Sequence, residues 1–333
     1  MVRAAWGWWL RRTGRQMDAR ILALLRILVC LCVVADLLRI AQLGLVDDIF
    51  RLYEDGGINA HPDRAAVVID LFGPDGGILT FWVTVAALTL AMVGLWTRPA
   101  LLVGILAHAQ LGHLYNPGDR GIDRILRTVL LILLFSGAHR RFALGLRLFG
   151  QPAAARVPAW PADLVRWLMV MVYLSAGIAK IAQQPAWLGA ARWPVVYRIM
   201  TDPMAGRVDP VTTQGWWWLW TLMGFATIAV ELGSPLLLTR FARYWSLLAL
   251  SMHAGIFLGM DLGMFSLGMA SLHVLLLAPW LLPLLDSVPA LRNPALRNPA
   301  LRDPTLRTRP AAAPPGDAAD GAPSPTAPPT RPG

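Results

Sequence analysis

Eight apolar runs limit what this chain can fold into more than any other feature of its sequence. A helix needs about 20 predominantly apolar residues to cross the hydrocarbon core of a bilayer. We therefore expect an all-α, polytopic integral membrane bundle of about eight transmembrane helices. The runs cover roughly residues 20–44, 78–97, 99–115, 121–138, 164–182, 216–238, 241–260 and 262–283.

Composition agrees with a membrane protein and argues against nucleic acid as a partner. The 333 residues are 56% hydrophobic and 15% charged, whereas soluble domains carry about 25% charged residues. The formal net charge is +10, but the arginines fall mostly in short loops and near the C-terminus. Cys30 and Cys32 stand on different faces of one predicted helix, so we expect two buried thiols and no disulfide or metal pair.

The distribution of arginine predicts the orientation in the membrane. Loops on the cytoplasmic side carry an excess of basic residues. The richer set of loops includes both termini, so we expect both termini to be cytoplasmic, in the inner (cytoplasmic) membrane of a cell. The heavy use of Arg, Ala, Gly and Pro indicates a GC-rich bacterial gene. The longer loops at roughly 45–77 and 183–215 then lie outside.

Two terminal regions differ from the predicted transmembrane domain at 20–285. Residues 1–19 are basic and rich in tryptophan, which is typical of an interfacial segment. Residues 286–333 begin with "PALRN" repeats, whose prolines forbid a regular helix, and end in a Pro- and Ala-rich stretch. We expect 286–333 to be a disordered cytoplasmic tail, which either touches anionic headgroups or serves as a solvated linker.

Lys180 is the only lysine of the chain, and it lies near the outer end of the fifth apolar run. Tyr173, Gly177, Lys180 and Gln184 share one helix face by their spacing. Two interpretations stay open. The amine either reaches up to the headgroups, or it faces the bundle, where loss of water favours the neutral amine and makes it a general base.

Other polar residues inside the apolar runs are candidate supporting residues. Glu231 precedes Pro235 by four residues, and the proline ring opens that helical turn. Glu231 is therefore either a structural partner or part of a cavity lining. Membrane histidines such as His108 and His253 more often hydrogen-bond between helices. No two histidines stand three or four residues apart, so no metal site is predicted.

Two acid–base pairs stand close together along predicted helices. Asp123 and Arg127 are four residues apart in "DRGIDRILR", and Asp36 and Arg39 form a similar pair in the first run. Side chains at such spacing are neighbours on a helix surface. We expect each pair to neutralise itself within its own helix.

Seven stretches occur in an order that resembles a known family. Over roughly residues 18–283 the chain is similar to the horizontally transferred transmembrane (HTTM) domain, which vitamin K-dependent γ-carboxylases share with many bacterial membrane proteins. The stretches are "ILALLRILVCLCVVADLLRI", "LYEDGGINAHP", "GLWTRPALLVGILAHAQL", "RGIDRILRTVLLILLFSG", "VYLSAGIAKIAQQPAWLGA", "IAVELGSPLLL" and "HAGIFLGMDLGMFSLGM".

The resemblance implies a reaction and a catalytic residue. In the carboxylases an A-G-x-x-K ending supplies the catalytic lysine, and here Ala176, Gly177 and Lys180 match it. Lys180 would then deprotonate a reduced naphthoquinone in chemistry that uses O2 and CO2. Asp123 stands where the carboxylases place a functional histidine. They also bind their peptide substrate with a large extracytoplasmic domain, in whose place we expect the tail, so the membrane core would act on another acceptor or with a separate protein or peptide partner.

Three classes of function therefore stand against each other. The first is a γ-carboxylase-like enzyme that uses a quinol. The second is a non-catalytic accessory, export or immunity protein, in which arginine could replace Lys180 because only a positive charge is needed. The third is a transporter, which inverted repeats would support, but the two halves of the sequence show none. All three have the lipid bilayer as a partner.

Overall fold

The computed structural model describes residues 14–59, 67–183, 185–188, 193–213 and 215–292, and these are mostly helical. Strands β1 (Gln16–Asp18) and β2 (Arg156–Pro158) form one antiparallel ladder. The helices are α1 (Ala19–Gln42), α2 (Val46–Phe50), α3 (Val67–Phe72), α4 (Gly76–Val93), α5 (Thr97–Leu114), α6 (Gly121–Leu134), α7 (Leu144–Leu148), α8 (Trp160–Gln183), α9 (Val195–Met200), α10 (Pro210–Thr213), α11 (Trp217–Leu232), α12 (Ala242–Gly259), α13 (Phe265–Leu272) and α14 (Ala278–Ser287).

Seven of the predicted apolar runs coincide with one helix each, some with a neighbouring 3-10 turn, and the eighth covers two helices. Within the described part of the chain, α1, α4 and α8 are long and apolar enough to cross a membrane, and a fourth span results if the bent C-terminal helices count as one. The expected number of eight crossings and the cytoplasmic position of both termini stay predictions.

Prolines break the sixth and eighth runs. The helix α11 ends at Leu232, and a 3-10 turn (Ser234–Leu238) that contains Pro235 follows, as predicted. The eighth run was expected to be one helix. Instead, the segment through Leu275 and α14 meet at an angle of 81°, because Pro279 has no N–H to donate and its ring would clash with the carbonyl of Leu275.

The small β-ladder is the part of the fold that an all-α prediction omits. It pairs Asp18 with Arg156 and Gln16 with Pro158. β1 runs directly into α1, whose first turn is capped by the Asp18 carboxylate accepting from the Arg20 N–H at 2.9 Å. β2 ends just before α8. The ladder therefore fixes the starts of α1 and α8 side by side.

The helix α1 is the centre of the core, and it packs against α4, α6 and α13. Leu22, Leu25 and Val29 on this helix are fully buried. Arg26 is also fully buried, and its guanidinium donates to the carbonyls of Ala138 at 2.9 Å and Phe142 at 2.6 Å. These bonds compensate for the lost hydration of the charge and tie the loop after α6 to the core.

The helix α8 has neighbours on two sides. One side packs against α11 and the 3-10 turn that follows it, and α6 lies on another. Small residues along α8 allow the close approach to α11. This position lets α8 contribute to two separate cavities.

Candidate functional site

Lys180 and Glu231 form an ion pair between α8 and α11. The Lys180 Nζ donates to Glu231 Oε1 at 2.7 Å. The Glu231 side chain is 7% exposed and that of Lys180 is 21% exposed. The second carboxylate oxygen, Glu231 Oε2, is buried and has no hydrogen-bond partner among the described residues. The pair therefore still has one strong acceptor available.

This pairing changes both interpretations of Lys180. The amine does not simply reach the headgroups, because it is hydrogen-bonded to a buried carboxylate. It is also not an isolated buried amine, because the carboxylate supplies a compensating charge. Glu231 combines the two predicted roles, since it is the partner of Lys180 and also lines a cavity.

Gly177 sits where α8 and α11 approach closely. A Cβ built on Gly177 would lie 3.0 Å from Leu232 Cδ2 and 3.1 Å from Glu231 Cβ. Gly177 is one turn before Lys180 on the helix. The absence of a side chain there lets Glu231 come within hydrogen-bond distance of the amine.

A cavity of about 410 Å³ lies beside the ion pair. Ligand sites for small molecules typically measure about 300–1,000 Å³ and have mostly apolar walls with a few polar groups. Four of the predicted site residues line this one, namely Lys180, Glu231, Tyr173 and His253. Most of the remaining wall is apolar, with Val172, Val196, Ile199, Met200, Met223, Ala226, Val230, Leu248, Met252, Ile256, Met260, Leu262, Phe265 and Met269.

Aromatic side chains stand next to the amine end of this cavity. The Lys180 Nζ lies 5.1 Å from the centre of the Trp187 ring, which is within cation–π range. Trp187 packs against a second buried cluster built on Val196, Met200 and Trp220. Tyr197 and Trp217 extend the aromatic surface, with ring centres 4.9 Å apart. Trp187, Val196 and Met200 therefore form part of the cavity wall next to the amine.

A buried hydrogen-bond chain reaches the same cavity from the interior. The Tyr173 hydroxyl lies 2.8 Å from His253 Nε2 and 3.0 Å from His273 Nε2. His273 Nδ1 lies 2.7 Å from Ser246 Oγ. This hydrogen-bond chain links α8, α12 and the turn after α13, so His253 and His273 bond between these elements, whereas His108 Nδ1 has no partner among the described residues.

A second cavity of about 850 Å³ has many charges in its wall. Asp119 Oδ2 accepts from Arg127 at 2.8 Å and from Arg124 at 3.0 Å. Arg120 joins two carboxylates, Asp36 and Asp123, and the contact to Asp123 is 3.0 Å. His108 also lines this cavity, where its Nδ1 has no partner among the described residues.

The two predicted pairs within helices are wrong. Asp123 pairs with Arg120 in a capping box at the start of α6, because its carboxylate also accepts from the Arg120 backbone N–H at 3.0 Å. Arg127 instead reaches Asp119 in the preceding loop. Asp123 and Arg127 therefore each pair with a residue on the N-terminal side of α6 and do not pair with each other.

The other predicted pair is replaced by contacts between distant segments. Asp36 on α1 pairs with Arg120. Arg39 pairs with Asp261, in the link between α12 and α13, at 2.9 Å. The hydrogen bond from Arg39, followed by the backbone N–H of Gly263, holds the pKa of Asp261 well below its usual range. The charges therefore connect α1 to two loops.

Comparison with known proteins identifies the family. Residues 14–283 match the HTTM domain, which is most of the chain. This chain belongs to the HTTM family. No curated protein and no solved structure gives a significant match. With the apolar helices, this membership makes the protein a multi-pass membrane protein.

The structure divides the predicted HTTM site residues into two groups. Tyr173, Lys180, Glu231 and His253 meet in the smaller cavity, and Gly177 forms the helix crossing beside it. The others line the larger cavity, namely Asp123, Arg127 and His108. Gln184 lies outside the described residues, as do the tryptophans of the N-terminal segment and the tail from residue 293.

Several residues of the HTTM site were missing from the sequence prediction. His273 was not among the predicted site residues. Ser246 and Trp187 could not be singled out either, because serines are frequent in membrane helices and tryptophans at membrane interfaces. Arg120 and Asp119 stand in the quoted "DRGIDRILR" stretch, but the prediction paired Asp123 with Arg127 by helical spacing and so left Arg120 and Asp119 out. Within the residues that the structure describes, no three His, Cys, Asp or Glu side chains lie close enough to hold a metal ion.

Proposed function

We propose that this HTTM chain binds a reduced naphthoquinone in the 410 Å³ cavity and that Lys180, paired with Glu231, takes a proton from it. The reaction would be γ-carboxylase-like and would use O2 and CO2. The observation that carries this proposal is Glu231 Oε2, which has no partner among the described residues, beside the Lys180 amine in a mostly apolar cavity. Such a buried acceptor is costly unless a ligand donates to it.

The residues present fit a quinol. Its flat ring system suits walls of methionine and branched aliphatic side chains, and its hydroxyl hydrogens suit an acceptor such as Glu231 Oε2. When bound, the quinol supplies the electrons that reduce oxygen. The walls of the cavity are mostly apolar, so electrostatic interactions inside it are stronger than in solution.

The ion pair can hold its shared proton in two places. In one form Lys180 is an ammonium and Glu231 is a carboxylate, and in the other the proton sits on Oε1 and Nζ has a free lone pair. Both forms have zero net charge, and apolar surroundings favour the second relative to water. In that form Nζ can accept a proton from a hydroxyl, and the resulting ammonium stabilises the oxygen anion left behind.

The proposal includes a location and a partner. The chain would cross the cytoplasmic membrane of a bacterium about eight times, with both termini in the cytoplasm. The cavity would then lie toward the outer leaflet, where a lipid-soluble quinol can enter from the bilayer. A separate protein or peptide would supply the group that is modified.

The decisive experiment is oxygen consumption with menadiol as the quinol, using purified protein in lipid nanodiscs. Lys180→Arg and Glu231→Gln should each lower the rate at least about a hundredfold, because general base catalysis contributes about 10²–10⁴ and a guanidinium does not give up its proton. Arg198→Ala, at an exposed cation on α9, should leave the rate unchanged. Full turnover in Lys180→Arg would show that only a positive charge is needed, which favours the non-catalytic alternative.

Binding can be separated from turnover because Lys180 is the only lysine. An amine-reactive reagent labels one side-chain nitrogen, and peptide mapping distinguishes it from the N-terminal amine. Menadione, the oxidised form that cannot turn over, should slow labelling of Lys180 and leave the N-terminal amine unaffected. Equal labelling with and without menadione would place the quinone elsewhere.

A further inference from the structure

The side chains of the hydrogen-bond chain at Tyr173 lie in the interior of the protein. Its four side chains are almost fully buried, with exposures of 4% for Tyr173, 3% for His253 and 0% for both His273 and Ser246. The order along the chain is Ser246, His273, Tyr173 and His253, with contacts of 2.7, 3.0 and 2.8 Å. Among the described residues no carboxylate or cation takes part in it, so we treat both imidazoles as neutral with one proton each.

The proton count allows only two arrangements. The Tyr173 hydroxyl has one hydrogen, so it can donate to one histidine and must accept from the other. If Tyr173 donates to His253 Nε2, then His253 carries its proton on Nδ1. His273 then donates from Nε2 to Tyr173, and its Nδ1 accepts from the Ser246 hydroxyl.

The reverse arrangement leaves more groups unsatisfied. His273 would donate from Nδ1 to Ser246 Oγ, and the Ser246 hydrogen would then need another acceptor. Ser246 has no other hydrogen bond among the described residues. A buried donor or acceptor without a partner destabilises the arrangement that contains it. The reverse arrangement leaves Ser246 and His253 unsatisfied, whereas the first leaves only the His253 Nδ1–H.

The hydrogen-bond chain ends at His253, which lines the cavity. Tyr173 and His253 line it, while Ser246 and His273 stand behind the wall. His253 Nδ1 is buried and has no partner in the described part of the protein. The His253 ring is held by Phe265, with ring centres 5.6 Å apart. Because its ring and its proton are both held in place, His253 can donate a hydrogen bond from Nδ1 to a ligand.

We propose that Ser246, His273 and Tyr173 fix His253 as a hydrogen-bond donor that recognises an oxygen acceptor on the ligand of the 410 Å³ cavity. His253 determines specificity, and the other three position its proton. Tyr173 and Lys180 are seven residues apart on α8, which is about 10 Å along the axis. A ring ligand is thus held by an acceptor and base at the ion pair and by a donor at His253. The identity of the ligand as a quinone rests on the proposed function, but the donor polarity does not.

The first test measures polarity without any ligand. Protein labelled with ¹⁵N-histidine should show His253 with its proton on Nδ1 and His273 with its proton on Nε2. Spectra of His253→Phe and His273→Phe assign the two signals. A bare Nδ1 on His253 would overturn the inference, whatever the turnover of the Lys180 variants.

The second test compares two probes that differ in oxygen. Menadione offers carbonyl acceptors, and 2-methylnaphthalene has the same ring system without them. His253→Phe should weaken menadione binding about tenfold and change 2-methylnaphthalene binding less than twofold, as measured by quenching of tryptophan fluorescence. Equal weakening of both probes would overturn the donor role, because it would report only a change of cavity shape.

The third test acts at a distance from the ligand. Ser246→Ala removes the group that fixes the proton of His273 and does not touch the cavity, so it should populate both tautomers of His253 and weaken menadione binding two- to threefold. Ser271→Ala is the control at another buried serine, since Ser271 donates only to the carbonyl of Gly268 and does not line the cavity. Unchanged tautomers in Ser246→Ala would overturn the positioning role.

Discussion

The two cavities beside α8 compensate their charges in different ways. In the larger one, Asp36, Asp119, Asp123 and Asp261 each contact at least one guanidinium. In the smaller one, a single ion pair leaves Glu231 Oε2 without a partner among the described residues. A histidine Nδ1 without such a partner is found in both cavities, on His253 here and on His108 in the larger one. The number of charges in a cavity wall therefore does not identify the proposed binding site. A buried carboxylate oxygen that has no hydrogen-bond donor and lies in a mostly apolar wall is the better indicator of such a site.

The difference follows from what each group of charges connects. Arg120 joins α1 to the start of α6, and Arg39 joins α1 to the link before α13. These contacts hold elements together, so their loss should appear mainly in stability. The ion pair of the smaller cavity also joins two helices, but Glu231 Oε2 makes no hydrogen bond with any described residue. Its loss should appear mainly in binding and turnover.

The largest effect on stability is expected at Asp119. Asp119→Ala leaves Arg127 buried and without its carboxylate, since the side chains are 10% and 16% exposed. Breaking a buried ion pair in this way costs about 3–5 kcal/mol. Thermal unfolding in detergent should show a large drop, and Asp48→Ala, at an exposed outer aspartate, should show almost none. A small drop for Asp119→Ala would remove the contrast between the cavities.

A double-mutant cycle on the smaller cavity gives the next effect. Lys180→Met, Glu231→Gln and the double variant should show a coupling energy of about 1–3 kcal/mol, because the residues are in direct contact. The double variant should be close to wild type in unfolding temperature and should lack quinol oxidation. If it unfolds as readily as Asp119→Ala, the pair is a structural clamp of the same kind as the larger cavity's network.

Gly177→Ala tests how the crossing of α8 and α11 positions the pair. The new methyl would lie 3.0 Å from Leu232 Cδ2, and such overpacking costs about 1–3 kcal/mol. Menadione protection of Lys180 should weaken with it. Gly255→Ala is the control, because nothing lies within 4 Å of its added methyl and alanine favours a helix by up to about 1 kcal/mol. Equal unfolding temperatures of the two variants would contradict the close-contact argument.

The smallest effect is the pH dependence of Asp261. The Arg39 hydrogen bond and the Gly263 N–H lower its pKa in the folded protein. A lowered pKa contributes stability above the unfolded value of about 3.9 and loses it as the pH falls further through the folded value. The difference in unfolding temperature between wild type and Asp261→Asn should thus be present at pH 6 and shrink below pH 4. A constant difference would show that ionisation of Asp261 does not matter.

Periodicity and length were enough to predict where the long apolar helices lie, apart from the break in the eighth run. A long apolar segment has to be buried in the protein or in the bilayer along its whole length. Periodicity and length also predicted which residues share the face of Lys180. The partners across helices could not be predicted, since Lys180 and Glu231 are 51 positions apart and Tyr173 and His253 are 80 apart. Helical spacing pairs neighbours on one helix, and it failed for Asp123 and Arg127 because arginine reaches other elements.

The wall between the two cavities has a consequence for the electric field inside the smaller one. Val172, Ala176, Leu262 and Phe265 line both spaces, so the partition is about one side chain thick. Interactions between charges extend far in a medium of low dielectric constant. The network behind this partition has four carboxylates and five guanidiniums, which leaves a net charge of +1. The guanidiniums are those of Arg39, Arg120, Arg124, Arg127 and Arg207. Its net positive charge therefore contributes to the potential in the smaller cavity, where it favours a negative charge on a bound molecule beside the neutral Lys180–Glu231 pair.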